Sequence, residues 1–270
     1  FRRMAPDASI IGNPDINVEL NICIMIKVTY LDHSGFALVL PTAVAVFDYF
    51  RDPTGALVKV IRENPELPVV FFVSHHHPDH FNPAIFTLAQ DREVQYVLSN
   101  DIFSKVVHGD MPVAWVSPGD EVPGLLGGLD VRAFGSTDAG VSFLVTLPDG
   151  RKIFHAGDLN YWHCNEESTV EEVKKAYNSF VHIIKELEQY APKIDIAFFP
   201  VDPRLGVDYA DGARLFLENI AVKDFFPMHF WGAYKAACEF EDYTTDNTDS
   251  FCLHVPGESV ELDGKMAVRK

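Results

Sequence analysis

The sequence predicts an α/β fold in which two sheets are sandwiched between helices around one core. Short apolar runs rich in β-branched and aromatic residues alternate with stretches of helical periodicity through both halves of the chain. The run Val69-Val70-Phe71-Phe72-Val73 is apolar on both faces and closed by Pro on both sides, the pattern of a buried parallel strand. The first strands instead follow one another through a Gly-containing turn, which marks an antiparallel hairpin at the outset. Both kinds of pairing in one chain suit sheets covered by helices on their outer faces.

The 270 residues, 47% of them hydrophobic, are ample for a sizeable core. Acidic residues outnumber basic ones 39 to 22, for a formal net charge of -17. That field repels phosphate backbones and anionic lipid surfaces, and no basic patch interrupts it. Nucleic acid and membrane are therefore excluded as partners, and a small-molecule substrate is expected. Cys23, Cys164, Cys238 and Cys252 form no C-x-x-C pair, which reads as reduced thiols in a cytoplasmic protein. No apolar stretch is long enough to span a bilayer. Residues 1–24 are broken by Pro6, Asp7, Asn13, Pro14, Asp15 and Glu19, so they form no signal-peptide core.

Taken in order, residues 1–24 read as an extension outside the core fold, and 25–270 as a single domain that begins at Met25-Ile26-Lys27-Val28-Thr29-Tyr30. Strands are expected over 25–31 and 36–40, joined through Asp32-His33-Ser34-Gly35, and over 43–47, ending at Asp48. After the 69–73 strand come a short helix over 83–90, a strand over 94–98 and a short helix over 101–108. Strands over 113–116, 129–134 and 141–147 are punctuated by Pro118-Gly119 and Gly127-Gly128. The run 152–158 is a strand that stops at Gly157-Asp158. Ser168-Thr169-Val170-Glu171 then has the form of a capping box, opening a helix whose face carries Val170, Val173, Tyr177, Phe180, Ile184 and Leu187. A strand over 194–200, a helix over 209–220 and a short strand over 225–229 follow. An acidic, loop-like tail over 239–250 precedes a last strand over 259–262.

The chemistry concentrates in Ser74-His75-His76-His77-Pro78-Asp79-His80, at the carboxyl end of the 69–73 strand, where open α/β architectures bind ligands. Imidazoles packed this closely repel when protonated and compete for the same hydrogen-bond partners, a conflict that a divalent metal resolves. The pattern His75-x-His77-x-Asp79-His80 resembles the signature of the metallo-β-lactamase superfamily of hydrolases. Asp48, Asp158 and His229 match its other motifs in order and rough spacing, and the resemblance covers about residues 25–232. It implies a four-layer αββα sandwich. Carried over, His75 and His77 hold one metal and Asp79, His80 and His229 a second. Asp158 bridges the two, and Asp48 steadies the histidine loop without touching metal. Phe226-Pro227-Met228-His229-Phe230-Trp231 and His33-Ser34-Gly35-Phe36 are similar to the compact, ascorbate-phosphate-lactonase-like branch. There His33 would line the site, although a hairpin histidine without catalytic duty fits as well.

One motif departs from the family. Where a third histidine for the first metal is usual, this chain has Gly135-Ser136-Thr137-Asp138-Ala139-Gly140. Asp138 supplies an oxygen instead, or His155 or His163 reaches in, or the enzyme uses one metal; Asp138 is favoured. An oxygen donor makes manganese or iron plausible beside two zinc ions. The implied function is a metal-dependent hydrolase that uses a metal-activated hydroxide, oriented by Asp79, on a small ester, lactone or amide. A small-molecule phosphodiesterase and a catalytically degraded metal- or ligand-binding protein are the alternatives. His77, where the flavodiiron relatives have Glu, argues against oxygen reduction. His108, His182 and His254 are read as surface or packing residues.

Overall fold

The computed structural model describes residues 25–102, 110–164 and 167–262. The extension over 1–24, with Cys23, and nearly all of the helix expected over 101–108, with His108, lie outside the described residues.

Two seven-stranded sheets stack face to face. The first holds β1 (Ile26–Asp32), β2 (Gly35–Val39), β3 (Val44–Phe47), β4 (Val69–Val73), β5 (Val94–Ser99), β6 (Val113–Val116) and β14 (Ser259–Leu262), in the order β14-β1-β2-β3-β4-β5-β6. The second holds β7 (Glu121–Leu125), β8 (Leu129–Phe134), β9 (Ser142–Thr146), β10 (Lys152–His155), β11 (Lys193–Pro200), β12 (Ala221–Met228) and β13 (Asp249–Ser250), in the order β13-β12-β11-β10-β9-β8-β7. Each sheet changes from antiparallel to parallel pairing at one strand, β3 in the first and β10 in the second. The carboxyl ends of β3, β4, β10, β11 and β12 all feed the loops of one rim.

Aromatic side chains fill the space between the sheets. Phe36 of β2 meets Phe198 of β11 at 4.4 Å between ring centroids, and Phe72 of β4 meets Phe143 of β9 at 5.5 Å. The opposite face of β4 carries Phe71 and Val73 into a second cluster, with Leu57, Val60 and Ile61 of α1 (Ala56–Glu63) and Ile85 and Phe86 of α2 (Ile85–Leu88). Both faces of β4 are buried, as its uninterrupted apolar run requires. On the far side, α3 (Val170–Tyr190) and α4 (Asp211–Asn219) cover the second sheet, where Phe216 stacks on Phe199 at 4.6 Å. The result is the expected αββα sandwich.

Several local expectations are corrected. The capping box of α3 is Thr169 with Glu172, one residue later than expected: Glu172 N–H donates to the Thr169 hydroxyl at 3.3 Å, and Thr169 N–H to Glu172 Oε2 at 2.8 Å. Only Phe180, Ile184 and Leu187 of its apolar stripe are buried, Val173 packs against the core at its edge, and Val170 is 87% exposed. The helix expected over 83–90 shrinks to α2. Helix α1, the edge strand β7 with its Pro123 and Gly124, and the short α5 (Tyr234–Glu239) were not anticipated. The cysteines are not all reduced: the chain folds back so that Cys238 of α5 and Cys252 form a disulfide, with Cα atoms 4.7 Å apart, while Cys164 is free. A spacing of 14 residues without a motif gives no sequence signal for that pair, and the pairing removes the cysteine premise for a reducing compartment. Among the described residues, no helix is long and apolar enough to cross a membrane.

Candidate metal centre

The histidine loop is held from below by Asp48. This carboxylate, at the end of β3 and 0% exposed, accepts hydrogen bonds from Ser74 N–H at 2.7 Å, the Ser74 hydroxyl at 2.6 Å and His80 Nδ1 at 2.7 Å. Two glycine loops press on the same point. Gly140 has φ +65° and Gly157 φ +54°, and a Cβ on either would collide with Ser74, so both positions need glycine for conformation and for space.

These hydrogen bonds fix which imidazole nitrogen is free. The Ser74 hydroxyl gives its one proton to Asp48, so it accepts from Nδ1–H of His75 at 2.9 Å. His80 donates Nδ1–H to Asp48, and His229, following β12, donates Nδ1–H to the buried carboxylate of Asp202 at 2.9 Å. In all three histidines Nε2 is the nitrogen left facing Asp158, the carboxylate beyond β10. Asp158 Oδ1 lies 3.0 Å from His80 Nε2 and 3.2 Å from His229 Nε2, and Oδ2 lies 3.3 Å from His75 Nε2. Two donor groups result, one of His75, His77, Asp138 and Asp158 and one of His33, Asp79, His80 and His229, the ligand atoms of each within 4.8 Å of one another. Buried and without a satisfactory hydrogen bond among them are His75 Nε2, His80 Nε2, Asp158 Oδ1 and both ring nitrogens of His33. Orphaned buried donors that converge on one point are costly unless a cation sits there, and neutral imidazoles with carboxylates suit zinc, manganese or iron. The residues fit the metal that the motif implies.

The electrostatics are those of a site that demands positive charge. Burial resists the charge of Asp158, yet His80, His229 and His75 hold its carboxyl well below the usual range. Burial likewise resists a proton on His80, but Asp158 and Asp48 outweigh it and push the imidazole up to about 10. For His33 burial wins, and the ring is pushed down to about 4. Burial resists the charge of Asp202 as well, but its bonds from His229 and Arg204 hold it at about 2.

Each residue singled out in the sequence has a definite place here. Asp79 Oδ2 stands 3.4 Å from His33 Nε2, so His33 belongs to a donor group itself rather than flanking it. Asp138 Oδ2 lies 3.6 Å from His77 Nδ1, whereas the alternatives to it point elsewhere. His155 donates Nε2–H to Ser34 O at 2.9 Å and stacks on Phe47, a satisfied strand histidine. His163 turns Nε2 toward Asp208 and Asp211, at 3.8 and 3.7 Å. Thr137 is occupied with the Asn160 backbone, donating to its carbonyl at 2.5 Å. Sequence reasoning missed Ser74, Trp162, Asp202 and Arg204. Asp202 follows a strand end, just as Asp48 does, and that rule would have found it. A cleft of about 350 Å³ opens over the centre between His77, Asp138, Asp158, Trp162, Arg204 and His229.

No family model matches the chain. A UPF0173 metal-dependent hydrolase of Nitratidesulfovibrio vulgaris strain DP4 is 25% identical over 260 residues, covering 88% of this chain and 95% of that protein. Among solved structures, Igni18, a metallo hydrolase from Ignicoccus hospitalis, superposes with a TM-score of 0.62 at 15% identity, over 89% of this chain and all of its own. The metallo-β-lactamase fold protein YhfI of Bacillus subtilis matches with a TM-score of 0.56 at 10% identity, over 88% of this chain and 99% of its own. The chain has the metallo-β-lactamase fold and is similar along most of its length to a metal-dependent hydrolase. Its donor groups thus occupy the strand-end rim of a metallo-β-lactamase fold.

Proposed function

We propose that this metal-dependent hydrolase cleaves a small ester, lactone or amide, using two divalent ions, most simply zinc, held by the two donor groups that share Asp158. The observation that carries the reading is the convergence of three anchored Nε2 atoms on one buried carboxylate that has an oxygen for each group. When bound, such ions polarise a carbonyl and acidify a water near neutral pH. Asp48, Asp202 and Ser74 keep His80, His229 and His75 in the ligating tautomer. Asp79 reaches the cleft in its ionised form. There it accepts a hydrogen bond from the attacking water and passes the proton to the leaving oxygen or nitrogen. Trp162, whose indole N–H donates to Asp158 O at 2.8 Å, forms one wall and limits the water that reaches the centre. The size of the cleft and the net charge of -17 favour a small molecule over nucleic acid or membrane lipid.

The test is elemental analysis of protein purified without an affinity tag, paired with hydrolysis of 4-nitrophenyl esters, lactones and amides by the loaded protein. About two ions per chain and turnover that disappears in Asp158→Ala are expected. Full loading without turnover of any probe would leave a binding protein and overturn the reading.

A further inference from the structure

We infer that the substrate carries an oxyanion, a carboxylate or a phosphate group, gripped by the free edge of the Arg204 guanidinium at the mouth of the cleft. This rests on the hydrolase reading above and names the class of substrate within it.

Arg204 is the one Lys or Arg among the described residues that line the cleft, where Asp79, Asp138 and Asp158 would otherwise make the wall anionic. The guanidinium is held still. Its Nε donates to both oxygens of Asp202, at 3.0 and 2.9 Å, its Nη2 donates to Oδ2 at 2.5 Å, and its Cζ lies 5.5 Å from the Trp231 ring centre. Asp202 does not need this much. The Nδ1–H of His229 and the Arg204 backbone N–H already satisfy it, at 2.9 and 3.0 Å. The consequence of the clamp is orientation: Nη1 has no hydrogen-bond partner among the described residues, and the side chain is 60% exposed although its partner Asp202 is fully buried. A planar cation fixed on one edge and open on the other is arranged for a second, bidentate oxyanion.

Its position matches a small substrate. Nη2 lies 3.5 Å from Nδ1 of His229, whose opposite nitrogen faces Asp158, so a single imidazole ring separates the cation from the donor group. Beside it, Trp231 is 48% exposed and has φ 48°, two residues after His229 with φ 63°. Non-glycine residues are held in the left-handed region at some cost, and such strain collects where function requires it. Here it sets the indole against Arg204 on one side and His33 on the other, which braces the guanidinium where the anion meets it.

The experiment compares kcat/KM of the metal-loaded protein for three esters of one acyl length: 4-nitrophenyl butyrate, mono(4-nitrophenyl) succinate and 4-nitrophenyl 3-phosphonopropanoate. A fixed charge-assisted pair gives the anionic esters an advantage of about tenfold or more, mostly in KM, and the better of the two identifies the anion. Arg204→Gln slows all three through Asp202 and His229, but it collapses the ratio of anionic to neutral, and Arg204→Lys restores part of that ratio. An equal rate for charged and neutral esters in the wild type, or a ratio unchanged by Arg204→Gln, overturns the proposal. Should no ester be hydrolysed, the hydrolase reading falls separately, and indole fluorescence decides the anion site. Quenching by the succinate ester but not the butyrate, lost in Arg204→Gln and in Trp231→Phe, supports it; equal quenching by both overturns it.

Discussion

The two donor groups around Asp158 are built from the same residue types but are held very differently. In the closed group, His80 and His229 each give Nδ1–H to a fully buried carboxylate, Asp48 and Asp202. His33 is packed between the His229 and Trp231 rings, at 4.2 Å from each. In the open group, His75 leans on a serine hydroxyl, while His77 and Asp138 have side chains 37% and 50% exposed and face one another at 3.6 Å. A carboxylate behind an imidazole fixes its orientation and raises its basicity, and an exposed side chain loses rotamer freedom on binding. The closed group should therefore fill first and hold its ion more tightly, leaving the open group as the exchangeable half of the centre.

The harshest way to break this comparison is Asp158→Ala, which removes the ligand common to both groups. Loss of most bound metal and a drop in turnover of about a thousandfold or more are expected, the several kcal/mol that a Lewis acid supplies. Retained metal in that variant would sink the shared-ligand geometry. Next in size are the outer anchors. Asp48→Ala strands Ser74 N–H, the Ser74 hydroxyl and His80 in a fully buried place, so it should cost about 3–5 kcal/mol of stability as well as metal. Asp202→Ala should weaken the tighter ion by about 10–100-fold, and Ser74→Ala the weaker one by less, as read by competition with a chelator. Equal losses from Asp202→Ala and Ser74→Ala would erase the distinction between the groups.

A carboxylate within β12, the strand that leads to His229, sharpens the point by contrast. Asp224 on β12 is buried about as deeply as Asp158 but has no histidine donors among the described residues; Lys223 lies at 3.5 Å and Asp249 and Asp195 add repulsion. Burial pushes its carboxyl up to about 6. A raised carboxyl pKa means that the folded chain holds the proton more tightly than the unfolded chain. Its contribution is therefore fully present below the unfolded value near 3.8 and is lost as pH rises through about 6. Asp224→Asn should raise the melting temperature by about 2–4 °C at pH 8 and leave it nearly unchanged at pH 4. A gain of the same size at both values would rule out charge burial as its cause.

The fold was legible wherever burial dictates composition. The run Val69–Val73 is apolar on both faces because helices cover one side of its sheet and the second sheet the other, and Ser259–Leu262 reads as a strand at its observed bounds. Elements whose residues are chosen by the edge of a layer were not. Strand β7 carries Pro123 and Gly124 because an edge strand tolerates a missing donor, and the start of α3 leaves Val170 exposed. At the centre, a histidine or aspartate that follows an apolar strand run can be read from sequence, because the strand fixes where it emerges. His33 could not be placed, since its position depends on a left-handed turn, φ 54°, and on contacts with Trp231 and Asp79 from distant loops. Arg204 sat beyond Asp202-Pro203 in what reads as an ordinary turn, with no apolar run to aim it.

The smallest effect is expected at Asp138, in the stretch 135–140 that carries no histidine. An exposed carboxylate that sits 3.6 Å from His77 without an anchor of its own contributes charge more than geometry. Asp138→Ala should thus weaken only the second ion to bind, by about 3–10-fold, and leave the first unaffected, in a titration that resolves the two steps. Asp138→His tests whether the position or the chemistry limits the open group. A rise in affinity for zinc over manganese would mean that the loop presents the side chain well and that the hard oxygen donor had limited the site's hold on zinc. No gain would mean that loop 135–140, pinned through Thr137 to Asn160, keeps residue 138 too far out to close the shell.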